Sequence, residues 1–95
     1  MTSPKPTPSK TSNDLWNVYI VECGDSSLYT GVTTDVGRRV KEHNSSKQSA
    51  RYTRARQPVE LVYQEFAVDR SEACKREYAI KQLTRAEKKM LIKNQ

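Results

Sequence analysis

Trp16-Asn17-Val18-Tyr19-Ile20-Val21-Glu22, then Gly24-Asp25-Ser26, then Leu28-Tyr29-Thr30-Gly31-Val32-Thr33: this stretch decides the fold. Both outer runs are rich in β-branched and aromatic residues, and the middle triplet is made of turn formers, so the reading is a β-hairpin. In an antiparallel pair, facing residues have a constant sum of numbers, and successive side chains alternate between faces. A three-residue turn, with Cys23 opposite Ser27, makes that sum even. Tyr19, Val21, Tyr29 and Gly31 then share one face, and Val18, Ile20, Leu28, Thr30 and Val32 share the other. The second set makes a core layer. The first sets two phenols together beside a glycine, where a ligand can approach the backbone. A two-residue turn would split the tyrosines between the faces, and Tyr is in any case an ordinary strand residue.

Working outward, Thr34 or Asp35 can cap a helix running to about Asn44. Gly37 weakens that helix by about 1 kcal/mol relative to Ala, so its stability must come from packing. Val36 and Val40 define its buried face, Arg39 and His43 lie on the same side, and Arg38, Lys41 and Glu42 point toward water. An arginine on the apolar edge is either aimed at the sheet or snorkels to solvent. Ser45 to Gln57 has no clear period and reads as a loop. Pro58 opens a third strand, Val59 to Phe66, and suits a first-residue or edge position. Asp69 and Glu72 match a capping box for a helix from about Ser71 to Leu83, and Thr84 and Glu87 match another for a last helix to about Lys93. The order is ββαβαα: a small α/β domain over residues 15–95, with a three-stranded antiparallel sheet flanked by helices.

Glu77 falls inside the apolar arc of its helix, made by Ala73, Cys74, Ile80 and Leu83 with Tyr78 at the margin. A buried carboxylate without a partner is costly or changes its protonation state. Glu77 therefore calls for a cation: Arg39, a divalent metal, or Lys81 one turn on.

Residues 1–14 hold three of the four prolines, several Ser and Thr, and no large apolar residue beyond Met1, which reads as a disordered leader. Lys5 and Lys10 have no apolar run behind them, which argues against a secretory signal. With 35% hydrophobic and 29% charged residues and no apolar run near 20 residues, the 95-residue chain reads as one soluble, cytoplasmic domain. Cys23 and Cys74 make neither a disulfide framework nor a zinc set, and read as reduced apolar fillers. The net charge is +6, and the window from Arg38 to Gln57 alone carries that excess, with seven basic residues against Glu42. So concentrated a positive field suits nucleic acid, or else a solvated face.

The spacing Val18-Tyr19-Ile20, Tyr29-Thr30-Gly31, Arg39, His43 and Glu77 resembles the GIY-YIG nuclease superfamily. The segment from Ala50 to Tyr63 is further similar to its small, stand-alone bacterial members, the YhbQ-like branch. The resemblance covers residues 16–83. The first triplet here reads Asn17-Val18-Tyr19, and the second has Thr30 in its middle; both keep the tyrosines.

The resemblance implies a metal-dependent endonuclease hydrolysing DNA phosphodiesters in repair or recombination, structure-guided or weakly specific. Tyr19, Tyr29, Arg39, His43 and Glu77 would be its site, with Glu77 holding Mg²⁺ or Mn²⁺ against the scissile phosphate. Arg39 would offset charge on phosphorus. Tyr19 would position or deprotonate the water, with Tyr29 helping to hold it. A free phenol, with a pKa of about 10, is a poor base at neutral pH unless Arg39 or the metal lowers that value. His43 would be the better poised proton relay. Lys47, Arg51, Arg54 and Arg56 are candidate phosphate contacts. Tyr52 either stacks on an unpaired base or anchors the loop to the sheet. The alternatives are a non-catalytic nucleic-acid-binding module and an accessory subunit whose partner supplies DNA targeting.

Overall fold

The computed structural model describes residues 15–45 and 47–95; the expected leader lies outside them. Strands β1 (Trp16–Glu22) and β2 (Leu28–Thr33) precede helices α1 (Val36–His43) and α2 (Arg51–Arg54). Strand β3 (Glu60–Ala67) and helices α3 (Arg70–Lys81) and α4 (Arg85–Lys93) follow. The sheet is antiparallel, in the order β2-β1-β3.

The hairpin turn fixes everything that follows. The Cys23 N–H donates to the Ser27 carbonyl and the Ser26 N–H to the Cys23 carbonyl, each at 2.8 Å. Ser26 takes the left-handed region at φ 72°, as three-residue hairpin turns require at that position. The Asp25 carboxylate accepts from the Ser27 N–H (3.1 Å) and its hydroxyl (2.6 Å). The odd turn pairs Tyr19 with Gly31 and Val21 with Tyr29, so both phenols belong to one face.

Each face has its own core. On one, Val18, Ile20, Tyr63 and Ala67 meet Ala73 and Ile80 of α3, joined by Leu91 and Ile92 of α4. On the other, Tyr19, Val21, Cys23 and Val59 meet Tyr29 and the α1 residues Val36 and Val40. Val18, Ile20 and Ile80 are wholly buried, each contributing about 1.5–3 kcal/mol through lost apolar exposure. A bulge on β3 shifts register between Ile20, which pairs with Tyr63, and Val21, which pairs with Leu61. Cys23 and Cys74 are free thiols.

Capping sets the helix starts. The Asp35 carboxylate accepts from the Arg38 N–H (3.0 Å) and that of Asp69 from the Glu72 N–H (2.8 Å). Thr84 and Glu87 close a reciprocal capping box. Helix α3 ends at Lys81, before the expected Leu83. One element is new: α2 is a single helical turn inside the segment expected to be a loop. Four residues carry no readable period; tertiary contacts hold them. No described helix is long and apolar enough to cross a membrane.

Candidate active site

The site grows from the Tyr19–Gly31 pair. A methyl group on Gly31 would lie 2.5 Å from the Tyr19 hydroxyl oxygen and 2.7 Å from Cζ. The space above the glycine, expected to admit a ligand, is instead filled by the Tyr19 ring. Tyr19 is 1% exposed.

Helix α1 brings His43 to that phenol. Its Nε2 lies 2.7 Å from the Tyr19 hydroxyl, and its Nδ1 lies 2.8 Å from Oγ1 of Thr53. His43 and Thr53 are both wholly buried. The Thr53 hydroxyl donates to the Ala50 carbonyl at 3.1 Å, an ordinary threonine bond to the preceding turn. The Tyr29 ring meets the imidazole edge-on at 5.2 Å and stacks on the Tyr52 ring at 5.7 Å.

Arg39 is half-buried, with its side chain 26% exposed. Its Nη1 donates to Glu42 Oε1 at 2.8 Å and to the Gln48 carbonyl at 3.1 Å. Glu42, expected to point to water, is thus corrected to a half-buried partner of Arg39; the pairing across one turn draws it in. Glu77 carries its own cation. Its carboxylate lies 3.2 Å from Lys81 Nζ and is 23% exposed. Of the three candidate partners, the structure supplies the intrahelical lysine. Tyr78, expected at the margin of the apolar arc, is 69% exposed.

Electrostatics keep the central pair neutral. Burial, reinforced by the neighbouring Tyr29, pushes the Tyr19 phenol up to about 12; Arg39 opposes this, and Glu77 adds a smaller upward push. Burial, then the positive charge of Arg39, pushes His43 down to about 4, with Glu42 opposing. Arg39 alone leaves the phenol above its ordinary value, and His43 lies below its own, because loss of water dominates at both. At Arg39, burial disfavours the charge, but the pairing with Glu42 and the nearby Tyr19 phenol outweigh it and raise the guanidinium further.

The sequence profile of the GIY-YIG catalytic domain matches residues 15–90. The chain belongs to the GIY-YIG family. Among its relatives, a UPF0213 protein of Desulfotalea psychrophila is 60% identical over 84 residues, covering 88% of this chain and 76% of that one. One of Haloquadratum walsbyi is 57% identical over 79 residues, covering 83% and 88%. The fold is similar to the solution NMR structure of the UPF0213 protein BH0048 from Bacillus halodurans, at 46% identity and TM-score 0.56 over 85% of each chain. It is also similar to that of EF2693 from E. faecalis, at 41% identity and TM-score 0.58 over 84% of each. The chain is thus similar to small GIY-YIG proteins of the UPF0213 group, and its domain is of the nuclease type.

The basic residues expected to grip phosphate divide in two within this GIY-YIG domain. Lys47, Arg51 and Arg54 are exposed, and Arg54 Nε donates to Ser49 Oγ at 3.4 Å. Arg56 is occupied: it donates to Asp25 (3.1 Å) and the Tyr52 carbonyl (2.9 Å), and its guanidinium lies 3.9 Å over the Tyr52 ring. Tyr52 therefore joins α2 to the sheet through Tyr29 and remains 37% exposed.

Glu42 and Thr53 are the residues that sequence reading missed. The sign of Glu42 was available, as the one acid in the basic window, three residues after Arg39. Thr53 had no sign, since its partner lies ten residues away. As for metal, no group of three ligand-type side chains among the described residues could hold an ion. The donor set of one carboxylate fits an ion that keeps its waters and is held mainly by a substrate phosphate.

Proposed function

We propose that this protein is a metal-dependent endonuclease hydrolysing DNA phosphodiesters, structure-guided or weakly specific, acting in the cytoplasm in repair or recombination. The observation that carries this reading is the phenol of Tyr19 against Nε2 of His43 at 2.7 Å, with Arg39 beside it.

Arg39 presents a planar fork suited to phosphate oxygens, and Glu42 with the Gln48 carbonyl holds it in place beforehand. Tyr19 orients the attacking water with Tyr29. The neutral phenol takes the water proton as it hands its own to His43 Nε2, so no free phenolate is needed. The water oxygen then bonds to phosphorus and the 3′ oxygen leaves with the electrons of the broken P–O bond. The phosphate's negative charge near the imidazole favours the imidazolium that forms. A Mg²⁺ or Mn²⁺ ion held by Glu77 would stabilise charge on the leaving oxygen. Lys81 must release the Glu77 carboxylate for this.

A second reading is a nucleic-acid-binding module without turnover. It is favoured by the burial of Tyr19 to 1% exposure and by the Glu77–Lys81 pair. Labelled branched, nicked and plain DNA, incubated with the full chain and Mg²⁺ or Mn²⁺, separates the two. We expect cleavage that disappears in Arg39→Ala and in Glu77→Ala protein. Cleavage surviving both substitutions removes this site from consideration. Binding without cleavage under either metal transfers the assignment to the module.

A further inference from the structure

Thr53 is not one of the residues that the resemblance assigns to the site, yet it contacts the one imidazole of the chain from the side opposite Tyr19. Three short contacts run in line: Tyr19 hydroxyl to His43 Nε2, His43 Nδ1 to Thr53 Oγ1, and Thr53 Oγ1 to the Ala50 carbonyl. The last group decides the direction of all three. A carbonyl only accepts, so the Thr53 proton points at Ala50, and the Thr53 oxygen faces His43 with a lone pair. Nδ1 must then carry the ring proton. Nε2 is left bare, and the Tyr19 hydroxyl donates to it.

The reverse arrangement fails on two counts. With the proton on Nε2, the Thr53 hydroxyl would have to turn to Nδ1. Its oxygen and that of Ala50, 3.1 Å apart, would then face each other with lone pairs alone. The Tyr19 hydroxyl would also lose its acceptor, and His43 is its hydrogen-bond partner among the described residues. Both groups are buried, where an unmade hydrogen bond has no water to replace it. Ala50 itself is fixed at the start of α2, accepting also from the Arg54 N–H at 2.9 Å.

We propose that Thr53 is a positioning residue that holds His43 as its Nδ1–H tautomer, keeping Nε2 bare as the proton acceptor for Tyr19. Helix α2 is thereby part of the active site, although its residues touch no reacting atom. The catalytic consequence rests on the nuclease reading above; the tautomer does not.

The test uses ¹⁵N-labelled full chain carrying no histidine tag, without DNA. A two-bond ¹H–¹⁵N correlation spectrum then reports a single imidazole, because His43 is the only histidine. We expect a protonated Nδ1 and a bare Nε2 in the wild type and in Thr53→Ser. Thr53→Val keeps the shape and removes the acceptor, so protonated Nε2 should appear. A wild-type spectrum with the proton on Nε2 overturns the proposal, and does so even if Thr53→Val fails to fold. So does a folded Thr53→Val protein with an unchanged spectrum. In the cleavage assay, kcat should fall about tenfold or more in Thr53→Val with KM little changed, and recover in Thr53→Ser. If the spectra behave as expected while no protein cleaves, the tautomer assignment stands and the nuclease reading fails.

Discussion

Gly31 has no side chain because the Tyr19 ring occupies the place of one. In Gly31→Ala the new methyl would sit 2.5 Å from the phenol oxygen, and the buried ring cannot yield without breaking its bond to His43. Overpacking of this kind costs about 1–3 kcal/mol. Urea unfolding should show that loss, and cleavage should fall with it; an unchanged midpoint would mean the ring stands elsewhere. His43 makes a second prediction at this scale. Unfolded, it takes a proton near the reference value of about 6.5; folded, it resists down to about 4. Between those values the unfolded chain binds more protons, so stability rises with pH there. The contribution of His43 is full above about 6.5 and is lost as pH falls toward 4. The loss reaches about 3 kcal/mol, of which about 2 is already gone at pH 5. Urea midpoints measured between pH 7 and 5 should fall accordingly in the wild type and much less in His43→Gln. An equal fall in both proteins would assign the effect to other groups.

Helix α1 carries Arg39, Glu42 and His43 on eight residues, and its own sequence supports it poorly. Gly37 stands in its first turn, so the start depends on Asp35, whose carboxylate accepts from the Arg38 N–H. Asp35→Ala should lower stability by about 1 kcal/mol, while Asp35→Ser, which keeps a capping oxygen, should lower it much less. Thermal or urea unfolding of both variants checks this, and equal losses would deny the cap its role. Elements with such local signals could be read from the chain. The turn formers Gly24 to Ser26 marked the hairpin, and of its two readings the structure takes the three-residue turn, which puts the two tyrosines on one face. Thr34 or Asp35, Asp69 and Thr84 marked the starts of α1, α3 and α4, and Asp35 is the one that caps α1. Apart from Glu42, what escaped reading depends on partners distant in sequence. Helix α2 is held by Thr53 against His43 and Tyr52 against Tyr29. The β3 bulge arises only when that strand meets β1. The protonation states of Tyr19 and His43 went unread for the same reason, since burial sets both and burial is a property of the assembled site.

Across the whole molecule, charge and site coincide because α2 is bound to both. Thr53 and Tyr52 fasten it to His43 and Tyr29, and from the same turn Arg51 and Arg54 reach solvent. Behind it, the hairpin turn closes on residues 56 and 57: the Gly24 N–H donates to the Arg56 carbonyl at 2.7 Å, and a methyl on Gly24 would lie 2.9 Å from the Gln57 carbonyl. The Arg56–Asp25 pair completes that contact. The basic window therefore does two jobs, and substitution should separate them. Each phosphate contact that releases counterions adds about 0.9 to the slope of log K against log salt. Arg51→Ala combined with Arg54→Ala should flatten that slope by about 2 for duplex DNA while leaving the unfolding midpoint near wild type. Arg56→Ala should do the opposite: the slope stays nearly unchanged, and the unfolding midpoint falls, because the hairpin turn and the Tyr52 ring lose a neighbour. DNA-binding titrations across a salt series, paired with urea unfolding of the same variants, read both quantities. A slope unmoved by the double substitution takes α2 out of the DNA interface, and the positive field around the site would then act on something other than phosphate contacts.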